Sequence, residues 1–252
     1  MYRLLILLLM LTLLPFSGTA EAPLTFSDDL TGVYTWPEGA AEAEADYVYR
    51  YCYPRVAGEN NVALTINNIF EYEVSDALGF ECPVIGSSQE GTDTPMQVEL
   101  DYEVMHLSDE YLSVCITKTV RQGESESRIV RAFTFTLTGE AAGTLTSLPY
   151  LVDALEHGET DEWLIDRQIA KVDACVRDLV WAQIGEAQKA DRLEIYDDLT
   201  FEEFEWGFYP EEDFYLDAEG NFVFFVQEGV IGPADGNPFF FPLTREELLD
   251  EI

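Results

Sequence analysis

Basic residues are scarce in this 252-residue chain: 13 Lys and Arg stand against 49 Asp and Glu, a formal net charge of −36. So acidic a surface repels nucleic acid, whose recognition needs basic patches, and anionic lipid headgroups. Histidine is scarcer still, with only His106 and His157. Neither belongs to an HExxH motif or to a Cys/His ligand set. No GxSxG supplies a nucleophile elbow, and neither GxGxxG nor the GxxxxGK phosphate cradle occurs. The four cysteines, Cys52, Cys82, Cys115 and Cys175, are far apart and form no CxxC. Zinc is therefore not expected. Their even number leaves two disulfides open in any of three pairings, against the alternative of buried thiols. Cys52 and Cys115 both fall in expected strands and could be bridged if those strands were neighbours. After residue 20 no apolar run approaches the roughly 20 residues a membrane span needs. These absences lead to an expectation of no metal, no cofactor, no nucleic-acid partner and no catalysis.

What the chain does have begins at its first residues. Met1, Tyr2 and Arg3 make a short basic start, Leu4 to Leu14 is an unbroken apolar run, and small residues follow up to Ala20. That is the pattern of a secretory signal peptide over 1–20, with cleavage after Ala20. A retained anchor is the alternative. Export to the cell envelope or the medium is expected, and cleavage would remove Arg3 and no acid. With 47% hydrophobic and 13% aromatic residues, the remainder can bury a core despite its charge. An acidic surface of this kind draws cationic proteins and speeds their encounter at low salt. Solubility alone would account for it equally well.

Carboxylates are numerous enough that a glycosidase-like pair could arise by chance. Glu202, Glu203, Glu205, Glu211, Glu212 and Asp213 are the densest group, and spacing selects no pair among them. A solvated acidic face is the expectation. Asp217, Glu219 and Asn221 imitate the alternating oxygens of a calcium loop, but the later bidentate acid is missing. A hairpin turn is expected there.

Periodicity organises the rest. Residues 21–45 read as a loosely ordered lead-in with a short strand at Gly32 to Thr35. Tyr47 to Tyr53 alternates, with four tyrosines on one face. Val62, Ile66, Ile69 and Phe70 predict a helix capped by Asn60 or Asn61 and fading near Ser75 or Asp76. Residues 79–95, rich in Gly, Ser, Thr and Pro, read as a loop containing Cys82. Strands around Val98–Val104, Leu112–Ile116 and Ile129–Leu137 have short connections and so predict an antiparallel meander. Ile165, Ile169, Val172, Val176 and Leu179 mark a long helix from Asp161 to about Ile184, capped by Thr160. Thr200 to Trp206 is a short helix or a loop. Phe214–Leu216 and Phe222–Val226 flank a turn, Phe239–Phe241 is a last strand, and Thr244 caps a terminal helix. The fold class is α+β: an antiparallel sheet with two principal helices packed on it.

The order of these elements resembles a two-part family. Tyr51-Cys52-Tyr53-Pro54, the helix bearing Ile66-Asn67-Asn68, and Tyr111-Leu112-Ser113-Val114 are similar to the domain that precedes the catalytic part of PdaC-type peptidoglycan deacetylases. Phe133 to Leu137 with Gly139, then Asp213 to Phe225, then Phe239 to Leu243 resemble the extracellular domain of RsiV-type anti-sigma factors. The resemblance divides the chain into 46–158 (PdaC-like) and 159–252 (RsiV-like), expected to form one compact unit. The deacetylase domain itself has no counterpart here. The family's Gly-Gly-Ala-His is replaced by Gln122-Gly123-Glu124-Ser125-Glu126. Its Pro-Tyr-Glu-Ile-Ala-Pro is replaced by Glu228-Gly229-Val230-Ile231-Gly232-Pro233. In RsiV proteins this ectodomain is a receptor for lysozyme, a cationic protein. The resemblance therefore implies a non-catalytic binding domain for a lysozyme-like protein, with Glu228, Gly229, Ile231 and Pro233, in the loop Gln227 to Gly236, as ligand-binding residues. The alternative that the PdaC relation implies is a module for cell-wall glycan.

Overall fold

A computed structural model of the chain describes residues 24–155, 159–234 and 237–252. The expected signal peptide and His157 lie outside the described residues.

Two sheets are stacked face to face, and helices cover the outer face of each. The first sheet contains β1 (Phe26–Trp36), β2 (Tyr47–Val56), β3 (Met96–Leu107), β4 (Tyr111–Gln122) and β5 (Ser125–Thr136), in that spatial order. β3, β4 and β5 are the expected antiparallel meander. β1 is a correction: residues expected in a loose lead-in form an 11-residue edge strand antiparallel to β2. Its sequence, FSDDLTGVYTW, lacks the strict alternation that marks a strand with one wet face. β2 and β3 run parallel, which needs a long crossover, and residues 57–95 supply it.

That crossover holds α1 (Asn61–Asp76) and α2 (Cys82–Gln89), joined through a π-helical turn at Ala77–Glu81. The Asn60 side chain accepts the Ala63 N–H at 2.8 Å, the expected cap. Ala63, Ile66, Asn67, Phe70 and Val74 fall on one buried face. Asn67 accepts from Val56 N at 2.8 Å and donates to Val56 O at 2.9 Å, which ties α1 to the end of β2. The loop expected over 79–95 is largely helix instead. Its Gly and Ser residues are poor helix formers, but tertiary packing overrides propensity. Cys82 is fully buried beneath the Tyr47 hydroxyl, and Pro83 sits in the first helical turn, where a missing N–H costs nothing.

The second sheet is β6 (Phe214–Leu216), β7 (Phe222–Val226) and β8 (Phe239–Leu243), all antiparallel. Phe225 faces the first sheet, against Cys115 and Val130. Phe222, Phe224 and Val226 face α4 (Glu162–Lys189). Polar links cross between the sheets: Ser113 Oγ pairs with Thr134 Oγ1 and accepts the Leu216 N–H at 3.1 Å. The α4 cap is Asp161, which accepts from Trp163 and Leu164 N–H, one residue later than the expected Thr160. Its buried stripe, Val172, Val176, Val180 and Ile184, lies further along than expected, since residues 162–171 are exposed or half-buried.

α3 (Leu148–Leu151), α5 (Phe201–Trp206) and α6 (Arg245–Glu251) complete the fold. α5 and α6 open with capping boxes, Thr200 with Glu203 and Thr244 with Glu247. The architecture is thus the expected α+β class, built as two stacked sheets rather than one. No disulfide joins the cysteines; β3 separates Cys52 on β2 from Cys115 on β4. No described helix is long and apolar enough to cross a membrane.

Candidate functional site

A concavity of 520 Å³ lies along the open edge of β5. Its wall on one side is β5 from Ile129 to Thr134. Leu145 and Thr146 close one end, Gln227 the other, and Glu211, Glu212, Asp213 and Phe214 form the opposite wall. The segment from Tyr209 to Asp213 is held tightly. Asp213 accepts the Tyr209 N–H at 2.8 Å, and its main-chain carbonyl accepts from Phe225 N at 2.9 Å.

Two acids in this wall are not solvated. Asp213 is only 9% exposed, and burial pushes its pKa up to about 6 against the donated hydrogen bonds of Tyr209 and Gln227. Glu211 is pushed up to about 7, chiefly by burial and then by the nearby charge of Asp173 on α4. Glu211 Oε2 accepts the Leu148 N–H at the start of α3, at 3.3 Å, while its Oε1 is buried without a partner. Behind it Asp173 and Arg177 lie 3.8 Å apart, and each keeps a buried polar atom unpaired.

The six acids expected to form one solvated face therefore divide. Glu202, Glu203, Glu205 and Glu212 are exposed, and Glu203 is committed to its capping box. Glu211 and Asp213 are desolvated. Both shift upward from the same first cause, burial.

The shift at Glu211 has a consequence for stability. The folded protein holds this proton more tightly than the unfolded chain, whose glutamate titrates near its ordinary 4.5. Stability is thus fully present below that value and is lost as pH rises towards 7. Glu211→Gln keeps an acceptor for Leu148 and removes the titration. Discounted for partial exposure, the variant should gain about 1–2 kcal/mol over the parent at about pH 8. It should gain nothing near pH 4.5. Urea midpoints at both values test this.

The residues expected to bind ligand are scattered. Gln227, where the expected contact loop begins, does enter the cleft; its side-chain amide donates to Val130 O at 2.8 Å and accepts from Val130 N at 3.2 Å. Gly229 is exposed in a turn with φ +76°, and Glu228 and Pro233 are half-buried. Ile231 is a correction: it is 0% exposed in the core under α4, and its carbonyl accepts the Tyr196 N–H at 3.0 Å. No ligand can touch its side chain. Asp217 turns both carboxylate oxygens onto its own turn, accepting from Glu219 N, Asn221 N and Asn221 Nδ2. That is the expected hairpin, with Gly220 at φ +82°. His106 ends β3 as expected and bonds through Nδ1 to the Asp217 carbonyl.

A second exposed feature is aromatic. Trp206 is 74% exposed at the end of α5 and Tyr209 is 54% exposed beside it. With Glu205 and Arg177 they line a 280 Å³ hollow.

No protein-family model matches the chain, and no curated protein matches it. Solved structures do match. One is a DUF3298 family protein from Pseudomonas aeruginosa PAO1, 11% identical, with a TM-score of 0.52 over 91% of this chain and 94% of that one. Another is a DUF3298 family member from Bacteroides fragilis NCTC 9343, 13% identical, with a TM-score of 0.47 over 88% and 91%. The first likeness is one of fold.

Proposed function

We propose that this chain is an exported, non-catalytic binding domain of the bacterial envelope, and that its ligand is a cationic, lysozyme-like protein. The observation that carries the reading is the pairing of a −36 charge with a preformed cleft whose free-facing ionisable wall is acidic. Arg131 stands on the opposite rim, but its guanidinium is held by Glu73 and laid over the Phe133 ring at 5.2 Å. A cation entering the cleft thus meets the exposed Glu212 with little competition. The likeness to a DUF3298 protein supports the fold that the RsiV-type resemblance implies and adds no ligand of its own.

The test is calorimetry of the purified protein with lysozyme, at low and at physiological salt. A one-to-one complex that persists at physiological salt is expected, weakened there by screening. Heat that disappears with salt, or never appears, overturns the reading. Exposed Trp206 and Tyr209 favour a second reading, binding of cell-wall glycan, since amphipathic aromatics are suited to recognition surfaces. Salt-independent retention on purified cell walls, lost in Trp206→Ala, would establish that reading instead.

A further inference from the structure

β5 is the edge strand of the first sheet, and an edge strand exposes a row of unpaired N–H and C=O groups. Here part of that row, at Val130, Thr134 and Thr136, is already occupied. At Val130 the Gln227 amide takes both main-chain groups, as a peptide unit would. At Thr134 the carbonyl accepts the Thr146 N–H at 2.8 Å. At Thr136 the N–H donates to Thr144 O at 3.1 Å and the carbonyl accepts the Gly143 N–H at 2.7 Å. Strand alternation turns Ala132 the same way as Val130 and Thr134. Among the described residues no group pairs with that outward side of Ala132, which is half-buried and lines the 520 Å³ cleft.

We infer that the gap at Ala132 is a slot for one residue of an extended, basic segment of a partner protein, whose main chain pairs with Ala132 and whose Lys or Arg side chain lies against Glu211 and Glu212. The inference rests on the proposed cationic ligand and specifies how it is held. Strand addition at a sheet edge draws affinity from main-chain hydrogen bonds and specificity from flanking side-chain sites. The gap is bounded by amide groups on both sides, so the strand register of a guest is set before it arrives. The charge selects among guests: an acidic segment would bring its carboxylates against Glu212 and the buried Glu211, at a cost.

The test is titration of the 15N-labelled full chain with acetyl-Val-Lys-Val-Arg-Val-amide, followed by NMR. The Ala132 amide should show the largest downfield shift. A peptide N-methylated at the main-chain nitrogens of its Lys and Arg, and an analogue with glutamates for the basic residues, should each bind at least tenfold more weakly. Glu212→Lys, at an exposed position that leaves the fold intact, should weaken the parent peptide by a similar factor. An unmoved Ala132 amide in the presence of bound peptide overturns the slot, as does equal affinity for the N-methylated peptide. A shift produced by an N-acetylglucosamine oligomer and not by the peptide also overturns it, in favour of a glycan subsite. Lysozyme binding retained with Ala132 unmoved would sink the slot alone. Absence of binding to both probes would remove the cationic-protein reading as well.

Discussion

Phe70→Ala should destabilise the protein by about 3–5 kcal/mol, the range for removing a fully buried aromatic ring. Phe70 sits at the centre of the first core. Its ring meets Tyr53 at 6.2 Å, Phe133 at 5.4 Å and Phe135 at 5.7 Å between centroids, the last two edge-on. The residue is completely shielded from solvent. Neighbouring elements cannot collapse into the space, because α1 is fixed to β2 through the two hydrogen bonds of Asn67. The loss should therefore include a cavity contribution as well as lost burial. Phe133 and Phe135 belong to β5, the strand that carries Ala132, so loosening them should also soften the cleft. Urea denaturation checks the stability change. Hydrogen exchange should show faster opening of β5 amides than of α4 amides, because α4 belongs to the other core. A loss under about 1 kcal/mol would mean that the core repacks around the gap.

Much of this architecture was legible because it rests on local periodicity. The four tyrosines of β2, the apolar positions of α1, the meander and the Phe-rich hairpin all carry their buried faces in the order of their residues. So do the caps: Asn60 and Thr244 act as expected, and Thr200 closes a capping box that settles the choice between helix and loop over 200–206. What failed to show was decided by contacts between distant residues. β1 has no clean alternation, and its strand character comes from pairing with β2. Residues 82–89 have loop-like composition, yet they coil because Cys82 is buried and Gly86 backs onto Trp36. The stacking of two sheets rests on Phe225 and on Ser113, and neither position announces itself in a single sequence.

The candidate site was less legible for the same reason. Glu211 and Asp213 stand in an acidic stretch beside Glu212 and differ from it only in burial, which the chain's order does not encode. Ala132 has no side-chain chemistry at all; what matters is its main chain, at an outward position of β5 that, among the described residues, has no partner between Gln227 and the 143–146 segment. Two sequence features do point to the cleft: the acidic stretch Glu211-Glu212-Asp213, and Gln227 at the start of the expected contact loop. Ile231, one of the four residues expected to bind ligand there, is core.

Gly232→Ala should cost about 3 kcal/mol, at the upper end of overpacking penalties, and should do so by steric conflict. A Cβ there would lie 2.2 Å from the Glu194 carbonyl oxygen and 2.7 Å from the Phe239 ring. The first obstacle is main chain and cannot swing aside as a flexible side chain would. Relief requires moving the 227–234 loop off the 194–196 segment, which breaks the Tyr196 N–H to Ile231 O bond and draws Ile231 out of its buried place. The same displacement pulls on Gln227, five residues earlier, which joins Val130 on β5 to the buried Asp213. The variant should therefore lose stability and also unmask the edge of β5, seen as faster exchange of the Val130 amide. A neighbouring control separates the two effects: Gly229→Ala meets only the Ala234 Cβ, at 3.7 Å, and the strain of a positive φ. It should lose about 1 kcal/mol and leave the Val130 amide protected. Equal exchange at Val130 in both variants would mean that the loop does not guard the edge, and that Gln227 holds its place on β5 by its own two hydrogen bonds.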